Sequence, residues 1–231
     1  MLTSKPKVIF SVNSEKNGYL RVVDNNFGRE LLTEEGAMLS VSENYSRLKE
    51  FYWGVFPKKL KKYRNNIKRA LVFGLGGGVI QNQLFKMYPG IEIVTIEYDS
   101  SMNDIYSYFF SGDKFPQHKI INVDAKLFVK NSHKFGDFEN YFDLIFVDTF
   151  SSFKVQEYEN YNGFYSNTKK FLKTNGIFGV NMIVMTDPMF LEGLEYVNQL
   201  EKFYQNTEIA LVGFFAGNSN LLTFSSDKLN L

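Results

Sequence analysis

Apolar runs in this 231-residue chain end in residues that could bind a ligand or move a proton. The first run, Ala70–Phe73, leads into a cluster formed by Gly74, Gly76, Gly77 and Gly78. Glycine removes side chains where a ligand must approach the main chain, and a helix that starts there directs free N–H groups at the ligand. The cluster predicts a strand-to-helix turn that holds a ligand, although a purely structural turn stays open on the glycines alone.

The next three apolar runs each deliver a carboxylate. Glu97 could accept hydrogen bonds from both hydroxyls of a ribose, Asp124 could accept one from an adenine amino group, and Asp148 projects into the same crevice. Each acid alone is typical of a helix cap or a solvated loop, and we assign Asp99 to a cap because it precedes the helical pattern SSMNDIY. Four successive strands that end in glycines or an acid indicate a shared nucleoside site, because capping has no reason to produce such a series.

These residues need a sheet whose strands end at one edge. From Arg69 onward, apolar runs alternate with amphipathic segments, which is typical of parallel strands covered by helices on both faces. The predicted strands are ALVFG, EIVTIEYD, KIINVDA, YFDLIFVDTF and GIFGVNMIV, followed by a hairpin of EIALVGFF and NLLTFSS. The predicted helices are Val79–Tyr88, Ser101–Phe110, Ala125–Asn131, Gly163–Thr174, which Asn175 and Gly176 are expected to stop, and Pro188–Tyr204. We predict an α/β fold with a Rossmann-like, doubly wound sheet and a C-terminal antiparallel hairpin.

Short β-rich pieces precede this domain. The pieces KVIFSV, GYLRVVD and RELLTEEG, separated by Asn-Gly and Asn-Asn-Phe-Gly turns, predict a small antiparallel module. Apolar spacings of three and four then predict a helix from Asn44 to about Tyr63, which Pro57 is expected to interrupt. The predicted division is a β-strand module at residues 1–43, a connecting helix at 44–68 and a nucleoside-binding domain at 69–231.

Composition narrows the possible functions. The 26 basic and 25 acidic residues nearly cancel, so the overall charge gives no reason to expect nucleic acid or an anionic membrane as a partner. The segment Pro57–Arg69 has seven Lys or Arg and no acid, and we interpret it as a solvated basic helix or connector. The absence of cysteine excludes disulfides and thiolate chemistry. His118 and His133 are expected at the surface and lack ligand spacing, so we predict no metal site.

Hydropathy gives no reason to expect a membrane protein. No apolar run approaches the roughly 20 residues of a membrane-spanning helix, and the first residues lack the long apolar core of a signal peptide. We therefore expect a soluble, cytoplasmic protein that acts on small molecules.

The motifs together resemble the spermidine synthase superfamily, which contains polyamine aminopropyltransferases and related methyltransferases. The segments that carry the resemblance are GYLRVVDNNFGRELLTEEGAMLS, VFGLGGGVI, IEYD, VDA and YFDLIFVDTFS. The resemblance implies a class I methyltransferase fold and a donor substrate that is S-adenosylmethionine or its decarboxylated form. It implies that the glycine loop approaches the methionine part of the donor and that Glu97 and Tyr98 bind the ribose. Asp124 and Ala125 would contact the adenine.

The resemblance also shows departures near the reaction centre, which Asp148 would face. Aminopropyltransferases carry an aspartate in the glycine loop that holds the aminopropyl amine, and Gly76 occupies that position here. They carry a second aspartate, after the catalytic strand, that deprotonates the attacking amine, and Ser151 occupies that position. A glutamine of the N-terminal module is replaced by Leu39. Loss of a general base typically costs roughly 10²–10⁴-fold in rate, so these departures argue against a standard spermidine synthase.

For the acceptor, the resemblance places Tyr52 in the wall of the substrate pocket. The segment Ser151–Tyr165 occupies the position of a gatekeeping loop, where Glu157 and Glu159 could bind a cationic amine or simply be solvated. Trp53 is expected to pack its helix onto the sheet instead.

We therefore predict a transferase that alkylates an amine acceptor with S-adenosylmethionine or decarboxylated S-adenosylmethionine, without a metal and as a homodimer, as is common in the family. One alternative is a true aminopropyltransferase whose base is relocated to Glu157 or Glu159. A second is a catalytically silent nucleoside-binding protein. A nicotinamide dinucleotide dehydrogenase is less consistent with the sequence, because the glycine spacing departs from GxGxxG.

Overall fold

A computed structural model of the chain describes residues 5–111, 116–149, 163–213 and 219–228. Its two sheets correspond to the two β-rich regions predicted from the sequence. An antiparallel sheet of four strands lies in the N-terminal part, and a mixed sheet of seven strands forms the rest.

The N-terminal sheet has the order β1-β2-β3-β4. Its strands are β1 (Lys7–Ser14), β2 (Gly18–Asn25), β3 (Gly28–Leu32) and β4 (Met38–Val41). The first three confirm the predicted antiparallel module. The fourth was not predicted, because it is short and follows the turn-like residues Thr33–Gly36.

Helix α1 (Tyr52–Tyr63) connects the two sheets. The predicted helical start at Asn44 is wrong, because Ser42–Arg47 form turns and only a short 3₁₀ turn at Leu48–Glu50 precedes α1. The expected interruption at Pro57 is also wrong. Because α1 begins at Tyr52, Pro57 lies in its second turn and is buried beside Phe56, which packs on the sheet, and the helix continues through Pro57 at the cost of one main-chain hydrogen bond.

The large sheet has the order β10-β11-β9-β8-β5-β6-β7. Strands β5 to β9 are parallel, β11 is antiparallel to β9, and β10 is antiparallel to β11, so the predicted C-terminal hairpin is confirmed. The strands are β5 (Arg69–Phe73), β6 (Glu92–Glu97), β7 (His118–Asn122), β8 (Phe142–Val147), β9 (Leu172–Ile183), β10 (Asn206–Val212) and β11 (Asn220–Ser226).

Helices cover both faces of this sheet, as the buried strand pattern predicts. They are α2 (Val79–Met87), α3 (Ser100–Ile105), which continues as a π-helix at Tyr106–Phe110, α4 (Ala125–Lys130), α5 (Phe164–Phe171) and α6 (Asp187–Leu200). One predicted helix end is wrong. Helix α5 stops at Phe171, and Leu172–Gly176, expected to end the helix and turn the chain, instead begin β9 because Leu172 is buried and pairs with Phe142 of β8.

Alternate residues of β5 show the doubly wound architecture. Ala70 and Val72 pack with α1 and α2 on one face, whereas Leu71 and Phe73 pack with α4, α5 and α6 on the other. The N-terminal sheet packs on α3 and the glycine loop in a third cluster. Among the described residues, no helix has the length and hydropathy needed to cross a membrane.

Candidate active site

The candidate site lies where the strand order reverses. Chain connections run from β5 outward through β6 to β7 on one side, and through β8 to β9 on the other. In such sheets, ligands bind beyond the carboxyl ends of the strands at this switch point. The glycine loop follows β5, Glu97 ends β6, and Asp148 follows β8, so the fold places these sequence-predicted residues at one edge of the sheet.

The glycine loop is packed tightly against the protein. Gly74 has φ +97°, and a Cβ at this position would lie 2.2 Å from the carbonyl oxygen of Asp148. A Cβ at Gly78 would lie 2.2 Å from the Tyr106 ring, and one at Gly77 would lie 2.8 Å from a serine hydroxyl of β4. Internal packing alone therefore disfavours a side chain at these three positions, most strongly at Gly74 and Gly78, a reason that the sequence could not distinguish from ligand approach.

Gly76 differs from its neighbours. Its φ is +52°, and a Cβ would make only ordinary contacts, the nearest with the Ser40 side chain at 3.6 Å and the Leu39 carbonyl oxygen at 3.7 Å. Asp and Asn adopt this left-handed conformation more readily than other side chains. The loop therefore has room for a side chain at Gly76, which would lie next to Leu39 and Ser40 of β4.

Glu97 is held by main-chain groups. Its side chain is buried, its Oε2 accepts a hydrogen bond from the N–H of Leu75 at 2.8 Å, and its Oε1 accepts one from the N–H of Asp99 at 2.7 Å. Burial raises the pKa of Glu97, while these N–H groups act in the opposite direction. A carboxylate has about four acceptor positions, so Glu97 keeps the capacity to accept from a ligand's hydroxyls.

The next two residues connect the site to the N-terminal sheet. Asp99 caps α3 by accepting from the N–H of Ser101, which confirms the predicted cap. It also accepts hydrogen bonds from the Ser14 hydroxyl and, at 2.6 Å, from the Asn17 amide, both at the β1–β2 turn. Tyr98 is 54% exposed, and the Lys16 ammonium lies 4.5 Å from its ring centroid.

Asp124 caps α4, because its Oδ1 accepts from the N–H of Leu127 at 3.0 Å. Ala125 is the first residue of α4 and packs partly against the core. Capping occupies one carboxylate oxygen of Asp124, and the residue is partly exposed, so the cap and adenine recognition are compatible at this position.

Asp148 is held by side chains. The Tyr52 hydroxyl lies 2.9 Å from both carboxylate oxygens, and the Asn181 amide donates to Oδ1 at 2.9 Å. Asn181 in turn accepts from the Asn220 amide at 3.0 Å. Sequence analysis identified Tyr52 and Asp148 but missed Asn181 and Asn220. A polar residue within the apolar run GIFGVNMIV was the signal that could have revealed Asn181.

The surroundings of Asp148 suit proton transfer near neutral pH. Burial raises the pKa of Asp148 to about 6, although the hydrogen bonds from Asn181 and Tyr52 oppose this shift. Burial and the negative charge of Asp148 raise the pKa of Tyr52 well above its ordinary value, so Tyr52 stays a donor. A carboxylate with a pKa near 6 can both bind an ammonium and accept a proton at pH 7.

Four other predicted residues fall into two groups. Ser151, Glu157 and Glu159 lie outside the described residues. Trp53 is 5% exposed and packs against the Tyr52 ring at 4.8 Å, which confirms its predicted packing role. Across the described parts of the chain, no group of three or more His, Asp or Glu could hold a metal ion.

The prediction of a surface position is correct for His133 and wrong for His118. His133 is exposed. His118 is partly buried between the rings of Phe85 and Tyr106, and burial lowers its pKa to about 4. The Lys-rich flank suggested exposure, but His118 begins the edge strand β7, pairs with Ile93 of β6, and has its ring covered by Phe85 and Tyr106.

The strand order, the switch-point site and the C-terminal hairpin define a class I methyltransferase-like α/β fold. Residues 55–229 match the family described as "Spermine/spermidine synthase domain". The chain therefore belongs to the spermine/spermidine synthase family.

Individual proteins are similar to the chain in sequence or in fold. A curated polyamine aminopropyltransferase from Vibrio vulnificus is 24% identical over 59% of this chain, and the match spans only 45% of that relative. A spermidine synthase crystallised with the transition-state analogue AdoDATO has a TM-score of 0.75 at 18% identity, over 97% of this chain and 75% of that one. Human methyltransferase-like protein 13 in complex with SAH has a TM-score of 0.62 at 18% identity, over 76% and 81% of the two chains.

Proposed function

We propose that the chain is a spermidine synthase-like transferase that moves an alkyl group from S-adenosylmethionine or decarboxylated S-adenosylmethionine to an amine. The observation that carries this proposal is Asp148, a carboxylate with a pKa near 6 that Tyr52 and Asn181 hold at the switch point beside the glycine loop. Family membership and the ligand-bound structural neighbours support the donor class.

The donor would lie along the ends of β5, β6 and β7. Glu97, already oriented by two main-chain N–H groups, would accept from the ribose hydroxyls, with Tyr98 beside it. Asp124 and Ala125 would contact the adenine at the start of α4. The loop Gly74–Gly78 would lie against the methionine part of the donor, where Gly76 offers main chain only.

The chemistry needs a neutral amine and an aligned sulfonium. The amine nitrogen forms a bond to the carbon next to sulfur, the carbon–sulfur bond breaks, and the thioether leaves with the bonding electron pair. Because an ammonium carries no free electron pair, a proton must leave the amine, and in this proposal ionised Asp148 binds the ammonium and accepts that proton. The rest of the rate enhancement comes from holding the two reactants in line.

We propose that the chain is not a standard spermidine synthase, because two of the acids that such an enzyme uses are replaced. Gly76 and Ser151 occupy the positions of two acids that the aminopropyltransferase pattern uses for the donor amine and for deprotonation. The second candidate is a true aminopropyltransferase with Glu157 or Glu159 as the relocated base, favoured by the curated relative of that activity.

Calorimetry followed by product analysis tests the proposal. We expect micromolar binding of S-adenosylmethionine or its decarboxylated form and no comparable binding of NAD. Incubation with each donor and putrescine, followed by mass spectrometry, then separates methylated products from spermidine. Spermidine formation at a rate typical of an enzyme supports the second candidate, binding without turnover of any amine indicates a silent nucleoside-binding protein, and absence of binding contradicts the donor class.

We also propose that the protein is a cytoplasmic homodimer, as the family resemblance implies. Light scattering of the purified chain during gel filtration measures its mass directly. A mass of twice 26.8 kDa is expected, and a single-chain mass at micromolar concentration contradicts the dimer.

A further inference from the structure

A chain of buried polar side chains runs beneath the glycine loop. The Gln81 amide nitrogen on α2 donates to the Gly74 carbonyl at 3.0 Å and lies 3.3 Å from the Thr95 hydroxyl on β6. That hydroxyl lies 2.9 Å from Nε2 of His118 on β7. Gln81 is 1% exposed and Thr95 is fully buried. We call Gln81, Thr95 and His118 the relay.

The hydrogen-bond roles along the relay depend on the Gly74 carbonyl at one end and on the tautomer of His118 at the other. Burial lowers the pKa of His118 to about 4, so its ring is neutral at pH 7 and one ring nitrogen is an acceptor. With Nε2 as that acceptor, the Thr95 hydroxyl donates to His118 and presents its lone pairs to Gln81. The Gln81 amide then directs its NH₂ group, rather than its carbonyl oxygen, at both Thr95 and Gly74. The Gly74 carbonyl can only accept, so it fixes the direction of the Gln81 amide, while the tautomer of His118 decides whether the Thr95 hydroxyl donates to the ring.

The relay ends on the peptide group that also binds Glu97. The carbonyl of Gly74 and the N–H of Leu75 belong to one peptide bond. Gln81 holds its oxygen, and Oε2 of Glu97 holds its N–H at 2.8 Å. Because a peptide group is planar, fixing one end fixes the other. The orientation of Glu97 and the geometry of the relay are therefore coupled through a single rigid plane.

We propose that Gln81, Thr95 and His118 are positioning residues for the donor site, which hold the Gly74–Leu75 peptide plane so that Glu97 faces the donor's ribose. This proposal rests on the proposed function, because it concerns the same site. The relay acts from the opposite side of the peptide plane and through Glu97, so its residues are assigned no contact with the donor.

Two substitutions at Thr95 separate positioning from packing. Thr95→Val keeps the shape and removes the hydroxyl, whereas Thr95→Ser keeps the hydroxyl and removes a buried methyl group. We expect Thr95→Val to weaken binding of methylthioadenosine about 5- to 10-fold, which corresponds to one lost hydrogen bond, and Thr95→Ser to stay within about twofold of wild type. Both variants should melt below the wild type, Thr95→Ser because of a buried cavity and Thr95→Val because Gln81 and His118 lose a partner. A purely structural role would weaken methylthioadenosine binding in both variants, whereas a positioning role weakens it in Thr95→Val alone.

Gln81→Met provides a second test, because it removes the bond to the Gly74 carbonyl directly. Its loss of methylthioadenosine affinity in calorimetry should equal or exceed that of Thr95→Val. Wild-type affinity in Thr95→Val or Gln81→Met, or equal losses in Thr95→Val and Thr95→Ser, would overturn the relay proposal alone. If the wild-type chain binds neither methylthioadenosine nor S-adenosylmethionine, the proposed function itself is wrong, and the role of the relay fails with it.

Discussion

The two halves of the candidate site are built in different ways. On the side proposed to bind the donor substrate, Glu97 receives its hydrogen bonds from the main-chain N–H groups of Leu75 and Asp99. On the side proposed to bind the amine, Asp148 receives them from the side chains of Tyr52 and Asn181. Burial raises the pKa of both carboxylates. The two sides therefore differ in the groups that hold the carboxylate, and not in the effect of burial on its pKa.

This difference indicates which half of the site is more sensitive to substitution of the surrounding residues. A main-chain N–H can donate a hydrogen bond whatever the residue type, so substitutions around Glu97 leave its two N–H partners in place. A side chain that donates a hydrogen bond can be removed by a single substitution, so the pKa and orientation of Asp148 depend on the residues at positions 52 and 181. The comparison predicts a reaction centre that single substitutions can adjust, the adjustable half of the site, beside a nucleoside site that depends on side chains only through the relay.

The largest effect is expected from Asp148→Asn, which keeps the shape of the side chain but removes the proton acceptor. Single-turnover rates should fall roughly 10²- to 10⁴-fold. The folded-state pKa is raised from 3.8 to about 6, so ionisation of Asp148 lowers stability as pH rises through 6. At pH 8 the variant should therefore melt at or above the wild-type temperature. A variant that keeps more than about a tenth of the rate would remove Asp148 from the mechanism.

The next effect is expected from Glu97→Ala on the donor side. Loss of charge-assisted hydrogen bonds to two hydroxyls should weaken S-adenosylmethionine or methylthioadenosine binding roughly 100-fold in calorimetry. Glu97→Gln is the matched control, because it keeps one acceptor oxygen and should lose less affinity. Unchanged affinity in Glu97→Ala would mean that the nucleoside site is wrongly assigned.

A smaller effect is expected from Tyr52→Phe, which tests the adjustable half of the site. The Tyr52 hydroxyl stabilises ionised Asp148, so its removal should raise the pKa of that carboxyl further. The acid limb of the kcat/KM pH profile should move upward by up to about one pH unit, with a rate loss below tenfold at pH 8. Asn220→Ala, one hydrogen bond further away, should move it less. An unmoved acid limb in Tyr52→Phe would contradict side-chain control of Asp148.

Most of the fold was predictable because its signals are local. The apolar runs of β5, β6 and β8 and the helices between them were recognisable from periodicity and glycine turns. The errors have a common origin, because tertiary packing outweighed local preference. Pro57 stays helical against the sheet, and Leu172 joins β9 through its pairing with Phe142. The domain boundaries at residues 43 and 68 stay predictions.

The site was predictable only in part, for a related reason. Glu97, Asp124 and Asp148 follow strands directly, so the sequence gives their positions relative to the sheet. Their partners come from distant segments: Tyr52 is 96 residues from Asp148 along the chain, and Asn181 is 33 residues away. Residue spacing carries no signal for such contacts, and the relay beneath the glycine loop was missed for the same reason.

The smallest effect is expected from Gly76→Asp, which places a side chain in the main-chain half of the site. The φ of +52° and the open contacts of a Cβ limit the stability loss to about 1 kcal/mol. Gly74→Ala is the matched control and should lose roughly 3 kcal/mol, because its Cβ would lie 2.2 Å from a carbonyl oxygen. The new carboxylate should shift donor preference several-fold toward decarboxylated S-adenosylmethionine, since it can pair with that donor's amine and repels the carboxylate of S-adenosylmethionine. Thermal unfolding and calorimetry with both donors measure these effects. Equal destabilisation in the two variants, or an unchanged donor ratio in Gly76→Asp, would show that Gly76 is as tightly packed as its neighbours or faces away from the donor.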